Sequence, residues 1–223
     1  MKQVSIQRSL WSFLALLCTV PLAAQTDTQI QGQPNIGAEL TFNVWLDERR
    51  MGTHSYKFNQ TGENLVVTSE ASFAVKLVFV TVFSYEHKAT EIWRGNCLTG
   101  LTSNTVTDGE EESLALDIPL DDCAGTYAYW DKTRLQRATL TNAQTGDQEP
   151  ASWTELGAVS LPTIGKRKKV KGALGEDGVQ GIKVTTPSAT FMLFYDKNNS
   201  LLMMQTDNDG RTITYLNSAL KVK

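Results

Sequence analysis

The chain has 223 residues, of which 41% are hydrophobic, and 21 basic side chains against 24 acidic ones for a formal charge of −3. That is enough apolar material for one domain with a sizeable core or two small ones. It lacks the basic excess with which a protein grips duplex nucleic acid, so a nucleic-acid partner is excluded from the expectations.

The first residues, MKQVSIQRSLWSFLALLCTVPLAAQ, set Lys2 and Arg8 ahead of an apolar run from Leu10 to Val20, with small residues at Ala23 and Ala24. This is the pattern of a secretory signal peptide over residues 1–24, cleaved near Ala24, and it predicts export to the periplasm. The run is about half of the ~20 residues that a membrane-spanning helix takes. The rival is a lipoprotein signal acting on Cys18, but the bulky Leu17 stands just before it, where such signals carry a small residue. Cleavage leaves 199 residues, with 19 basic side chains against 24 acidic and a charge of −5. It also leaves two cysteines, Cys97 and Cys123, which in an oxidising compartment are expected to pair. Closing that loop stabilises by roughly 3 kcal/mol in the chain-entropy model. The other reading is two separate buried thiols. Two cysteines without a histidine cluster cannot build a structural zinc site.

Residues 25–38 are polar, with Pro34 between glycines, and read as a flexible leader; residues 39–223 then read as a single β domain. From Glu39 the apolar period is two. Phe42, Val44 and Leu46 share one face, then His54, Tyr56 and Phe58, then Leu65, Val67, Ala71, Phe73 and Val75. The breaks LDERRMG, QTGEN, WRGN, TDGEE, YDKNNS and TDNDGR are turn chemistry, too short for parallel crossovers, so the strands they join are antiparallel neighbours. Helical periodicity is confined to YWDKTRLQRA, where Asp131 caps a short helix and Trp130 and Leu135 point inward. Residues 141–165 are the least regular and read as a long loop or a hinge between two sheets. About a dozen strands in one sheet must curl, split or close. The expected fold is therefore all-β: a strongly curved antiparallel meander, a half-barrel or incomplete barrel, with at most one or two short helices.

Four blocks, FNVWLDERRMGTHSYKF, FSYEHKATEIWRGNCLTGLTSNTVTDGE, AYWDKTRLQRATLTNAQTG and LFYDKNNSLLMMQTDNDGRTITYLN, together resemble an exported bacterial family, domain-of-unknown-function family 6134. The likeness runs over most of the chain after the signal peptide. It implies a periplasmic, mostly β protein and brings no activity, substrate or catalytic residue with it.

The stretch VFSYEHKATEIW sets Phe83, Tyr85, His87, Ala89, Glu91 and Trp93 on one face of a strand. That face is the more aromatic and is assigned to the concave side. His54 shares its own face with Tyr56, so the two histidines left after cleavage are expected to look into one cavity. The candidate ligand-binding residues are His54, Tyr56, Tyr85, His87, Glu91 and Trp93, as polar anchors in an apolar pocket. A stronger version is a two-histidine, one-carboxylate metal site or an acid/base pair, and a plainer one is two histidines bonded to strand neighbours. Neither a metal nor a cofactor is assigned. Met192, Met203, Met204, Phe73, Phe79, Phe83 and Phe191 either line a cavity for an apolar molecule or are plain core. Lys166, Arg167, Lys168, Lys169 and Lys171 suit peripheral contact with an anionic membrane surface, or an edge strand whose charges discourage pairing. TDNDGR lacks the spacing of a calcium loop, and the chain carries no GxSxG, HExxH, P-loop, CxxC or dinucleotide-binding motif. The leading expectation is a non-enzymatic carrier of an apolar or amphipathic, lipid-like molecule. The alternatives are an envelope assembly or interaction scaffold with a solid core, and a hydrolase or isomerase using the histidines.

Overall fold

The structure is a computed structural model describing residues 36–77, 80–127, 129–166, 168–171 and 178–222. The expected signal peptide and its cleavage site, together with Phe79 and Arg167, lie outside the described residues. What remains of the leader is already tied down, since Gly37 N donates to the Phe58 carbonyl at 2.7 Å.

Six long strands follow one another as a meander: β1 Glu39–Leu46, β2 Arg49–Thr61, β3 Asn64–Leu77, β4 Val80–Arg94, β5 Cys97–Thr107 and β6 Glu110–Asp117. The chain then forms three short strands, β7 Gly125–Thr126, β8 Thr139–Thr141 and β9 Gln148–Pro150, with helix α1 Lys132–Leu135 between the first two. Next come β10 Ser152–Val159, the two-residue β11 Val170–Lys171, β12 Val179–Thr185, β13 Thr190–Tyr195, β14 Leu201–Asn208, β15 Arg211–Asn217 and β16 Lys221–Val222. Eleven strands form one antiparallel sheet in the order β10-β12-β13-β14-β15-β1-β2-β3-β4-β5-β6. The sheet is open, as the alternation and short turns predict, and β15 returns to pair with β1. Asp108–Gly109 and Asp209–Gly210 turn with positive φ at both residues, the backbone that two-residue hairpins require. Register slips at Val44/Trp45, Val75/Lys76, Ile92/Trp93, Glu155/Gly157 and Phe194/Tyr195 each add local twist and bend.

The two outer strands, β6 and β10, are joined by residues 118–151, and this connection lies against the concave face. Its Ile118, Ala124, Tyr129, Trp130, Leu135 and Leu140 are buried in one cluster with Phe42, Phe58, Val67, Trp93 and Leu101 of the meander and with Ile182, Leu193, Tyr195 and Met204 of the other half. The short helix is capped as its sequence predicts, with Asp131 Oδ1 accepting from Thr133 N at 2.9 Å. The expectation for residues 141–165 is corrected. They contain β8's last residue, β9 and the whole of β10, a bulged edge strand whose Gly157 has φ 73°. Edge strands lack a packed outer side, so their alternation is weak. The irregular connection begins some twenty residues earlier.

Several contacts hold the connection in place. Cys97 and Cys123 are disulfide-bonded, joining the start of β5 to the connection. Arg134 and Asp131, both almost fully buried, form an ion pair at 3.0 Å. The Arg134 guanidinium also packs over Trp93 and Trp130 at 5.5 and 5.4 Å and donates to the Gly95 carbonyl. On the far half, Tyr195 Oη donates to the Tyr129 carbonyl at 3.1 Å.

A second cluster, Ile164, Val179, Phe194, Leu202, Met203 and Leu216, lies on the opposite face of β12–β15, with Leu161, Val170, Leu220 and Val222 packed against it. Met203 and Met192 pack there, which is the plain-core reading of these two methionines, whereas Met204 faces the other cluster; these strands are covered on both faces, and apolar character no longer tells the faces apart. The described residues of the basic run lie in this layer. Lys168 folds back over the Trp45 ring at 4.5 Å and donates to the Glu48 carbonyl, while Lys171 is in β11, paired with β16. Lys166 and Lys169 are exposed.

Replacing both cysteines by serine is expected to lower the unfolding free energy by roughly 3 kcal/mol, read by chemical denaturation. A Cβ at Gly52 would lie 1.9 Å from the Ser72 carbonyl oxygen, so Gly52→Ala forces β2 and β3 apart and is expected to cost roughly 1–3 kcal/mol in the same assay.

Candidate functional site

Strand register brings the two histidines together. His54 of β2 stands opposite Ala71 of β3, and Ala71 opposite His87 of β4. Neighbouring strands are about 4.8 Å apart, so the histidines share one row about 10 Å apart with only a methyl group between them. The next row runs Tyr56, Ser69, Ala89, Ser103. A patch of short side chains therefore occupies the middle of an otherwise bulky face, and the connection above cannot descend to fill it. The result is a hollow of about 320 Å³.

Five of the six expected residues, His54, Tyr56, Tyr85, His87 and Glu91, line this hollow. Trp93 does not, which corrects its placement. It has the predicted facing, but β4 runs on beneath the connection, and Trp93 is 2% exposed, edge-on to Trp130 with ring centroids 5.6 Å apart. Its Nε1 donates to Glu91 Oε2 at 2.7 Å, so it holds the carboxyl in place. The connection contributes Tyr127, Tyr129, Asn142 and Gln144 to the lining, and the far half contributes Phe191, Met204 and Tyr215. Of these, Phe191 and Met204 are legible in the sequence as apolar candidates. The others come from segments whose position depends on tertiary packing, and the one sequence signal for the hollow is the run of small residues Ser69, Ala71 and Ala89 on inward positions.

A second hollow of about 430 Å³ adjoins the first, and Tyr85, Ile213 and Tyr215 line both. Its walls are apolar, with Val44, Met51, Phe73, Val75, Val82 and Phe83, and Val82 is 54% exposed. Arg211 lies at its rim in an exposed ion pair with Asp47 at 2.9 Å. Ligand pockets run from about 300 to 1,000 Å³, a range that includes each hollow.

The first hollow is aromatic and short of charge. The His54 ring is stacked on Tyr56 at 4.4 Å and flanked by Phe73 and Tyr215. Burial, with His87 nearby, pushes its pKa down to about 3. His87 is bonded through Nδ1 to Thr105 Oγ1 at 2.8 Å, and burial lowers its pKa too. Burial likewise pushes Tyr85 up to about 12 and raises Tyr56, Tyr129 and Tyr215. Glu91, 1% exposed, is pushed up to about 7 by burial, against the hydrogen bonds from Trp93 and from Thr126 Oγ1 to Oε1 at 3.2 Å. Burial disfavours the protonated form of both histidines, which makes them poorer proton acceptors and weakens an acid/base role for them. Among the described residues no group of three or more His, Cys, Asp and Glu is placed to hold a metal ion. Two buried polar atoms of the lining residues, His54 Nε2 and Tyr129 Oη, have no hydrogen-bond partner.

The model of a family described as Domain of unknown function (DUF6134) matches residues 42–217. Among solved structures the chain is similar to a β-barrel-like protein of the domain of unknown function DUF1849 from Brucella abortus, at 14% identity and TM-score 0.54, over 83% of this chain and 97% of that one. That likeness is one of fold. LprF from Mycobacterium bovis aligns at 12% identity over 82% of this chain and 84% of its own, with a TM-score of 0.29, too low to support a shared fold. No curated protein sequence matches the chain.

His54 and Glu91 act on stability in opposite directions. The depressed pKa of His54 contributes stability that is complete above its ordinary 6.5 and lost as pH falls toward about 3, at about 1.4 kcal/mol per pH unit. The raised pKa of Glu91 contributes stability that is complete below its ordinary 4.5 and lost as pH rises to about 7. Between pH 4.5 and 6.5 the two offset each other. Denaturation curves across that window are expected to show acid destabilisation steepened by Glu91→Gln and lessened or reversed by His54→Phe; parallel profiles for both variants and the parent would contradict these assignments.

Proposed function

The chain belongs to the family described as Domain of unknown function (DUF6134), and we propose that it is a non-enzymatic carrier of an apolar or amphipathic, lipid-like molecule in the bacterial periplasm. The observation that carries this reading is the pair of adjoining hollows on the concave face, one apolar and opening toward solvent at Val82, the other aromatic with a few polar groups. A scaffold would be expected to have a solid interior. An apolar wall that leads to a small number of fixed hydrogen-bonding groups is the usual construction of a small-molecule site.

The energetics favour occupancy. An apolar chain laid along Val44, Phe73, Val75 and Phe83 gains about 25 cal/mol for each Å² it removes from water. The aromatic rings of the first hollow are held by one another and by strand register, so little side-chain freedom is lost on binding. The Cys97–Cys123 disulfide and the signal-peptide pattern support an address outside the cytoplasm.

Protein purified from its native host is expected to release a stoichiometric small molecule into organic solvent, identified by mass spectrometry. Ile213→Trp, which puts an indole at the junction of the hollows, is expected to abolish that signal while leaving the β-sheet circular dichroism unchanged. Protein that emerges empty from its own host, with the parent sequence, would end the carrier reading.

A further inference from the structure

Resting on the carrier reading, we infer that the first hollow receives the polar end of an uncharged amphiphile, a head of hydroxyl or carbonyl oxygens, and disfavours carboxylate and phosphate heads. Its tail runs past Tyr85 and Ile213 into the second hollow.

Among the described residues, the lining of the first hollow contains no lysine or arginine. The nearest buried cation, Arg134, is committed to Asp131 and to the Gly95 carbonyl. The charges that do border the hollow are negative. Glu149 accepts from Tyr127 Oη at 2.9 Å and from Ser188 Oγ at 2.7 Å, and Glu112 accepts from Gln144 at 2.9 Å, while Glu91 lies inside, pushed by burial toward its uncharged form. An anionic head placed there would be desolvated with no counter-charge and would face these carboxyls, which is the costly form of burial. A cationic head would be desolvated as well, and the one carboxyl inside the lining, Glu91, is 1% exposed, is held by Trp93 and Thr126 and is pushed by burial toward its uncharged form, so it is a weak counter-charge.

An uncharged oxygen-bearing head meets neither objection and supplies what the lining lacks. Tyr129 Oη and His54 Nε2 are buried without partners. A buried polar atom left unpaired is unfavourable, and a hydroxyl or carbonyl of the ligand satisfies it. The tyrosine hydroxyl can donate, and His54 is neutral, so these groups can pair with oxygen without any net charge.

The competing orientation sets an anionic head at the rim of the second hollow, against Arg211. That guanidinium is exposed and paired with Asp47, whose other oxygen accepts from Thr212 N at 3.0 Å.

Three probes with one tail separate these cases: monolauroylglycerol, lauric acid and dodecyltrimethylammonium, each titrated by calorimetry into the full chain at low micromolar concentration. Monolauroylglycerol is expected to bind roughly tenfold or more tightly than either charged probe. Tyr129→Phe removes a hydroxyl with no protein partner, so it should leave thermal stability intact and weaken monolauroylglycerol roughly three- to tenfold. Equal or tighter binding of a charged probe overturns the inference and leaves the carrier reading standing; lauric acid binding that is lost in Arg211→Gln places the head at the other end. Unchanged monolauroylglycerol affinity in Tyr129→Phe also overturns it. Failure of all three probes to bind counts against the carrier reading and takes this inference with it.

Discussion

An open sheet of eleven strands has a concave face larger than its own side chains can cover, and the rest of the structure follows from how that face is kept dry. The cover comes from the chain between the two outer strands, residues 118–151, which has to cross the open side to reach from β6 to β10. Crossing there buries Trp130, Leu135 and Leu140, but it also takes Arg134 and Asp131 out of water. A buried ion pair is tolerated only when its remaining hydrogen-bonding capacity is met. Here Asp131 caps the helix, Arg134 bonds the Gly95 carbonyl, and two indoles flank the guanidinium.

The cover is anchored tightly at the Trp93 end and reaches less deeply at the other. Around Trp93 the sheet offers large residues that interlock with the connection. Two and three rows along, the short inward residues are Ser69 and Ala89, then Ala71, and the tyrosines that surround them hold the connection at a distance. The hollow is thus a product of short side chains on rigid strands combined with stiff rings at its edge. Its electrostatic character has the same origin. The groups that border it are enclosed by aromatic rings, and enclosure drives histidine, tyrosine and glutamate alike toward their uncharged forms. A site made in this way is polar without being charged.

The two halves of the sheet play different roles. In β1–β6 one face is buried and the other carries solvated residues such as Lys57, Glu70 and Lys88. In β12–β15 both faces are covered, the outer one by Leu161, Ile164, Val170 and β16, so that half forms a stiff wall against which the hollow closes. At Gly52, in the row that runs Tyr215, Val44, Gly52, Phe73, Tyr85, the backbone of β3 leaves no room for a side chain.

Much of this was written locally. Period-two alternation assigned Phe42, Tyr56, Phe58, Val67, His87 and Glu91 to the inner face, the turn residues made their strands antiparallel, and Asp131 marked its helix, because facing and turning depend on neighbours a few residues apart. The same logic left Met203 open between cavity and core, since its strand is buried on both sides, and it missed the depth under the connection of Trp93, whose facing was legible. That His54 and His87 share a row is a matter of register across three strands. That Tyr127, Tyr129 and Tyr215 join them depends on a connection folding across the sheet and on β15 returning to β1. Sequence by itself determined which way each strand residue points, since the pleat is a local property of the backbone. Tertiary structure alone decided which inward residues meet space and which meet packing, since that depends on the sum of side-chain volumes brought together from opposite ends of the chain.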